Sequence, residues 1–119
     1  RIAVRMVFSL VACSGVEVGG FCWHASGTYV SCTTTCASLG GYNSATETFA
    51  GSQGQLDNCN AVLDALGQPG SGTSNGTNSE AEGIGCAVYN GLSRWRITSP
   101  ATTANARLGS HIRACACNE

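Results

Sequence analysis

Two pairs of cysteines constrain this fold more than any other feature of the chain. Cys32 and Cys36 stand at i and i+4 in a stretch that reads as a short helix, and Cys115 and Cys117 stand at i and i+2 in a stretch that reads as a strand. Side chains at i and i+4 share a helix face about 6 Å apart. Those at i and i+2 share a strand face about 6.6 Å apart. The separations match, so two parallel disulfides, most simply Cys32–Cys115 and Cys36–Cys117, can rivet the helix to the strand. Cys13, Cys22, Cys59 and Cys86 remain, with three possible pairings. The favoured one joins Cys13 to Cys22, clamping the base of the opening segment, and Cys59 to Cys86, pinning a helix beside the later strands. Eight cysteines in 119 residues, only 11% of them charged, describe an extracellular disulfide framework in oxidising surroundings.

The cysteine-bearing helix and strand resemble the cystine-stabilised motif of defensins and scorpion toxins. That resemblance covers the local element and implies no activity. The body from Cys22 to Cys117 is similar to cysteine-rich domains of unassigned function in secreted microbial proteins, which implies a location. A cysteine-bearing helix, a second amphipathic helix and the closing Arg113-Ala114-Cys115-Ala116-Cys117 strand also look like a C-type-lectin-like domain, which makes an α+β lectin-like arrangement the alternative fold.

At the start of the chain, Ile2, Val4, Met6, Phe8 and Leu10 occupy alternate positions, the pattern of a β-strand with one apolar face. Extended, the segment reaches roughly 36 Å at about 3.3 Å per residue. Five such side chains contribute about 1.5–3 kcal/mol each when buried, so on the order of 10 kcal/mol depends on finding them a groove. Leu10-Val11-Ala12-Cys13 also matches a bacterial lipobox, but Arg5 interrupts the apolar core of a signal peptide. The chain reads as already processed, with Arg1 a mature terminus. The segment resembles the N-terminal extension exchanged between subunits of chaperone–usher pili. That resemblance implies a strand that completes a neighbour's immunoglobulin-like fold by β-addition. The expected organisation is a donor strand at 1–13, a flexible connection at 14–20 and a disulfide-rich globular body at 21–119.

Within the body, 21–24 and 28–31 read as short strands, 32–39 as a short helix stopped by Gly40-Gly41, and 42–54 as loop. The strongest helix is 56–66, where Leu56, Cys59, Val62, Leu63 and Leu66 recur at helical spacing before Gly67. Residues 68–85 show no periodicity and read as a polar excursion. Tyr89-Asn90-Gly91-Leu92 reads as a hairpin turn, because Asn-Gly accepts the positive φ angles of a type I′ turn. Strands at 94–98 and 108–117 complete the set.

Chemical motifs are sparse. His24 and His111 could join thiolates around zinc, but no C-x-x-C pair is present, so neither metal nor cofactor is expected. Gly72-Thr73-Ser74-Asn75-Gly76 matches G-x-S-x-G, yet a nucleophile elbow needs a buried strand before it and a helix after it. Glu80, Glu82, Asp57 and Asp64 read as solvated carboxylates, and the chain is not expected to be an enzyme. Trp23, Tyr29, Tyr42, Tyr89 and Trp95 could form a sugar-stacking platform, with Arg94 and Arg96 on the strand face opposite Trp95. Asn75-Gly76-Thr77 is an N-glycosylation sequon.

A net charge of −1 and six scattered arginines form no basic stripe, which argues against a nucleic-acid partner. No apolar run approaches the ~20 residues needed to span a bilayer. The expected fold is mainly β with two short helices, a disulfide-rich immunoglobulin-like sandwich completed by the N-terminal strand. The expected function is a structural subunit of an extracellular, pilus-like helical fibril, a homo-polymer held by Ile2, Val4, Met6, Phe8 and Leu10. The alternative is a monomeric secreted carbohydrate-binding or adhesive domain with a glycan or surface ligand.

Overall fold

Six strands, β1 (Val16–Val18), β2 (Phe21–Ala25), β3 (Thr73–Thr77), β4 (Cys86–Tyr89), β5 (Ser93–Ser99) and β6 (His111–Cys117), form one open sheet in the order β1-β2-β6-β4-β5-β3. Neighbours are antiparallel except β3 and β5, which run parallel. Three short helices, α1 (Cys32–Cys36), α2 (Ala45–Thr48) and α3 (Leu56–Ala65), complete the body. The computed structural model describes residues 13–78, 80 and 82–119. The alternating segment carrying Ile2, Val4, Met6, Phe8 and Leu10 lies outside the described residues.

The bridges are Cys32–Cys115 and Cys36–Cys117, the pairings that spacing suggests, and Cys13–Cys22 and Cys59–Cys86, the favoured one of the three pairings left open. Ser31 caps α1 by accepting the Thr34 N–H at 3.1 Å, which satisfies one of the donors left free at a helix start. The two buried sulfurs of α1 then meet β6 side by side.

Cross-strand partners share a face of the sheet, so the register separates its two sides. On the first face Trp23, Cys86, Val88, Ala114 and Ala116 pack with Ala45 of α2 and with Cys59, Val62 and Leu63 of α3. Trp23 is fully buried, and its indole N–H donates to the Val18 carbonyl at 3.0 Å. On the second face α1 covers the end of β6 through its two disulfides, while Ile84, Ala87, Ile97 and Ala106 form a separate cluster. One sheet with helices on both faces therefore stands where two packed sheets were expected. The disulfides commit the second face of β6 to a helix.

Arg113 projects from β6 into this second layer and is 1% exposed. Its guanidinium donates to the carbonyls of Ile84, Ala106 and Thr103 at 2.9, 2.7 and 2.8 Å, and to that of Ala104 at 3.3 Å. Burial lowers its pKa to about 10, so it remains charged at neutral pH. The carbonyls it gathers fasten the 103–106 segment onto the sheet.

Four local expectations change. The 42–54 stretch contains α2, a single turn too short to show a helical period; Thr46 Oγ holds it to β6 by accepting the Ala116 N–H at 2.8 Å. Residues 28–31 form no strand, since Tyr29 has φ 62°. The connection at 14–20 contains β1, paired in register with β2. The polar excursion contains β3, whose Thr-Ser-Asn-Gly-Thr sequence has no apolar face and is held by parallel pairing with β5. The hairpin turn is as expected, with Asn90 at φ 55° and Gly91 at φ 66°.

Candidate functional site

The second face is uncovered between the 77–84 and 108–111 segments, leaving an open cleft of about 510 Å³. Tyr89 on β4, Trp95 and Ile97 on β5 and His111 on β6 line it, with Ile84, Leu108, Thr77 and Glu80 around them. Strand alternation explains the convergence. Tyr89 is the register partner of His111, and Trp95 that of Ala87, so all point to the same side. Arg94 and Arg96 point to the other side, as the sequence pattern indicates. Arg96 Nη1 donates to the Gly51 carbonyl at 2.8 Å and Arg94 Nη1 to Asp64 at 2.6 Å, so both cations are consumed in holding the layer above α3.

The cleft combines rings with hydrogen-bonding groups. Tyr89 and His111 pack with ring centroids 4.8 Å apart and planes tilted by 38°. His111 Nδ1 lies 2.8 Å from the Gly109 carbonyl; a carbonyl only accepts, so Nδ1 donates to it and Nε2 is left for a ligand. Trp95 is half-buried and lies against Gly76 of β3, where an added β-carbon would come within 2.9 Å of the indole. Asn78 shapes the rim. Its Oδ1 accepts the Glu80 N–H at 2.9 Å and its Nδ2 donates to the Glu82 carbonyl at 2.8 Å.

Of the five aromatics proposed as a platform, the structure brings Tyr89 and Trp95 together. Trp23 belongs to the buried core. Tyr42 is half-buried and donates to Glu47 at 2.7 Å; burial, then that bond, push its phenol pKa well upward. Tyr29 is covered by the Arg107 guanidinium at 4.4 Å. His24 and His111 are not brought together: His24 lies beside Glu119 at 2.7 Å, near Cys13 and Cys22. All eight sulfurs are in bridges, so the thiolates of the zinc reading are absent. Ser74 of the G-x-S-x-G match sits on an exposed edge strand followed by no described helix. Glu80 is at the cleft, Asp57 is in the first turn of α3 and Asp64 pairs with Arg94. Asn75 is exposed on the first face, with Oδ1 accepting from Arg96 Nε at 2.9 Å.

Ile84, Leu108 and His111 were not recognised as partners of Tyr89 and Trp95 in the sequence. The alternation of Trp95 and Ile97 against Arg94 and Arg96 signals one wall; the rest comes from segments far apart in the chain. Among the described residues no helix is long and apolar enough to cross a membrane. Compared with protein-family models, curated proteins and solved structures, the chain has no match.

Proposed function

We propose that the protein is a secreted carbohydrate-binding or adhesive domain whose ligand occupies the cleft between Tyr89, Trp95 and His111. The observation that carries this reading is the placement of two aromatic side chains in one open concavity, with Glu80 and His111 within the same lining. A sugar ring has an apolar face and a rim of hydroxyls. Aromatic rings match the face, and a carboxylate with an imidazole matches the rim; polar groups placed beside apolar and aromatic ones are the usual basis of orientation. Four disulfides suit the extracellular setting. Glycosylation at Asn75 is compatible with it, because N-linkage uses Nδ2, leaves Oδ1 to Arg96, and projects from the face opposite the cleft.

The test is a glycan array followed by calorimetry on wild type, Trp95→Ala and Tyr89→Ala. Binding lost in both variants, with unchanged disulfides and circular dichroism, supports the reading. A wild-type protein that binds no glycan, or variants that bind as well as wild type, sinks it.

A second reading keeps the fibril subunit, completed by β-addition of a neighbour's N-terminal strand. It is favoured by the position of the two open edges. β1 bounds one edge of the sheet and β3 the opposite edge, an arrangement suited to head-to-tail, heterologous polymers. Electron microscopy decides it: fibres that vanish on deletion of residues 1–12 support strand donation, and fibres that persist, or a wild type that stays monomeric, exclude it.

A further inference from the structure

We infer that the cleft is one half of a longer groove, which binds a neutral linear oligosaccharide across two subsites divided by Trp95. This rests on the carbohydrate reading and goes further in naming the form of the ligand. A second concavity of about 320 Å³ is lined by Ser71, Gly72, Ser74, Leu92 and Ser93 together with Trp95. Trp95 lines both.

The order of residues along β3 gives the groove its direction. Ser74 is the register partner of Trp95, and both project from the second face. Gly76 lies beneath the indole, and Thr77 and Asn78 continue into the first cleft. From Ser74 to Asn78 the strand advances roughly 13 Å at about 3.3 Å per residue, more than one pyranose ring requires. A ligand filling only the first cleft leaves the second concavity bare.

The two halves differ in chemistry. Ile84, Ile97, Leu108 and the aromatic rings make the first suited to stacking. The second is edged by Ser71, Ser74 and Ser93, whose hydroxyls both donate and accept, with Leu92 74% exposed at its far end. Charge selects against anionic chains. Arg94 borders the second half, but its nitrogens donate to Pro69, Asn60, Asp64 and Gln68. Glu80 is the acidic side chain lining the first half. Among the described lining residues, a polyanion would meet the Glu80 side chain and an arginine whose donors are already engaged.

The experiment is calorimetric titration with neutral ladders of one to six units of β-linked glucose, mannose and N-acetylglucosamine, and with heparin as an anionic comparison. Affinity should rise at least tenfold between two and five units for the preferred ladder, then level off. Ser74→Tyr and, on the adjoining loop, Ser71→Trp should each abolish that gain, bringing the ratio of five-unit to two-unit affinity close to one. Affinity independent of length, or a gain that survives both substitutions, overturns the two-subsite groove and leaves the carbohydrate reading standing. Tighter binding of heparin overturns the neutral class. No binding to any ladder or array glycan overturns the carbohydrate reading itself.

Discussion

The indole of Trp95 rests on the backbone of Gly76, so closely that a β-carbon on residue 76 would sit 2.9 Å from its Cε3 atom. The absence of a side chain at 76 thus sets the pose of the ring that both halves of the groove share. Gly76→Val should tilt the indole outward, since valine is well accepted in a strand while the ring must yield. Acrylamide quenching of tryptophan fluorescence should increase, and glycan affinity should fall about tenfold, or about 1.4 kcal/mol. Unchanged quenching would show that the ring does not depend on this contact.

Arg94 and Asp64 form an ion pair whose partners are unequal. The arginine side chain is 4% exposed and the aspartate 61%. Asp64→Asn should cost at most about 1 kcal/mol, as for other solvent-facing pairs. Arg94→Met removes the donor to Asn60 and to the carbonyls of Gln68 and Pro69, and buried acceptors left without a donor cost about 1–3 kcal/mol. Urea unfolding of the two variants measures the difference, and equal effects would refute it.

The two bridges between α1 and β6 should be strongly coupled. They span 83 and 81 residues, but once one is closed the other closes only a short loop. Chain-entropy reasoning assigns about 2.5 kcal/mol to whichever bridge is removed first and about 4.5 kcal/mol to the second. Replacing each cysteine pair by alanine, singly and together, gives the coupling from denaturation midpoints. Equal, additive losses would show that the bridges act independently.

Glu119 should lose a contact in acid. Its carboxylate accepts from the Ser14 hydroxyl, from the Ser14 N–H at 3.1 Å and from His24 Nε2 at 2.7 Å. These bonds, the Ser14 hydroxyl foremost, hold its pKa below the ordinary glutamate value. A depressed carboxylate pKa contributes stability above the unfolded value of about 4.3, which is lost as pH falls through the lower folded value. The Ser14 amide resonance should titrate with a midpoint below about 4.3 and lose that titration in Glu119→Gln. A midpoint at or above the ordinary value contradicts the bonding.

Much of the covalent frame was legible because helix and strand spacings are local geometry: Cys32 with Cys36, and Cys115 with Cys117, carry their own ruler. The opposed faces of β5 were legible for the same reason, as Trp95 and Ile97 alternate with Arg94 and Arg96. β3 was not, since Thr73–Thr77 has no apolar alternation and owes its conformation to β5. Nor was α2, whose single turn depends on Thr46 meeting Ala116. The cleft was half legible. Tyr89 and Trp95 were candidates, but Trp23, Tyr29 and Tyr42 looked equivalent until burial, a guanidinium and a carboxylate claimed them. Ile84, Leu108 and His111 join the aromatics only through pairing across the sheet.

Strand β6 runs from His111, in the cleft, to Cys117, beside Cys22 and the Cys13 bridge. Both ends of the described chain therefore leave from one corner of the sheet, while the groove opens at the diagonal corner, roughly 20 Å away along the strand at about 3.3 Å per residue. A domain wired this way can be tethered by either end to a surface or a larger assembly and still hold its receptive side outward, like a hand at the end of an arm.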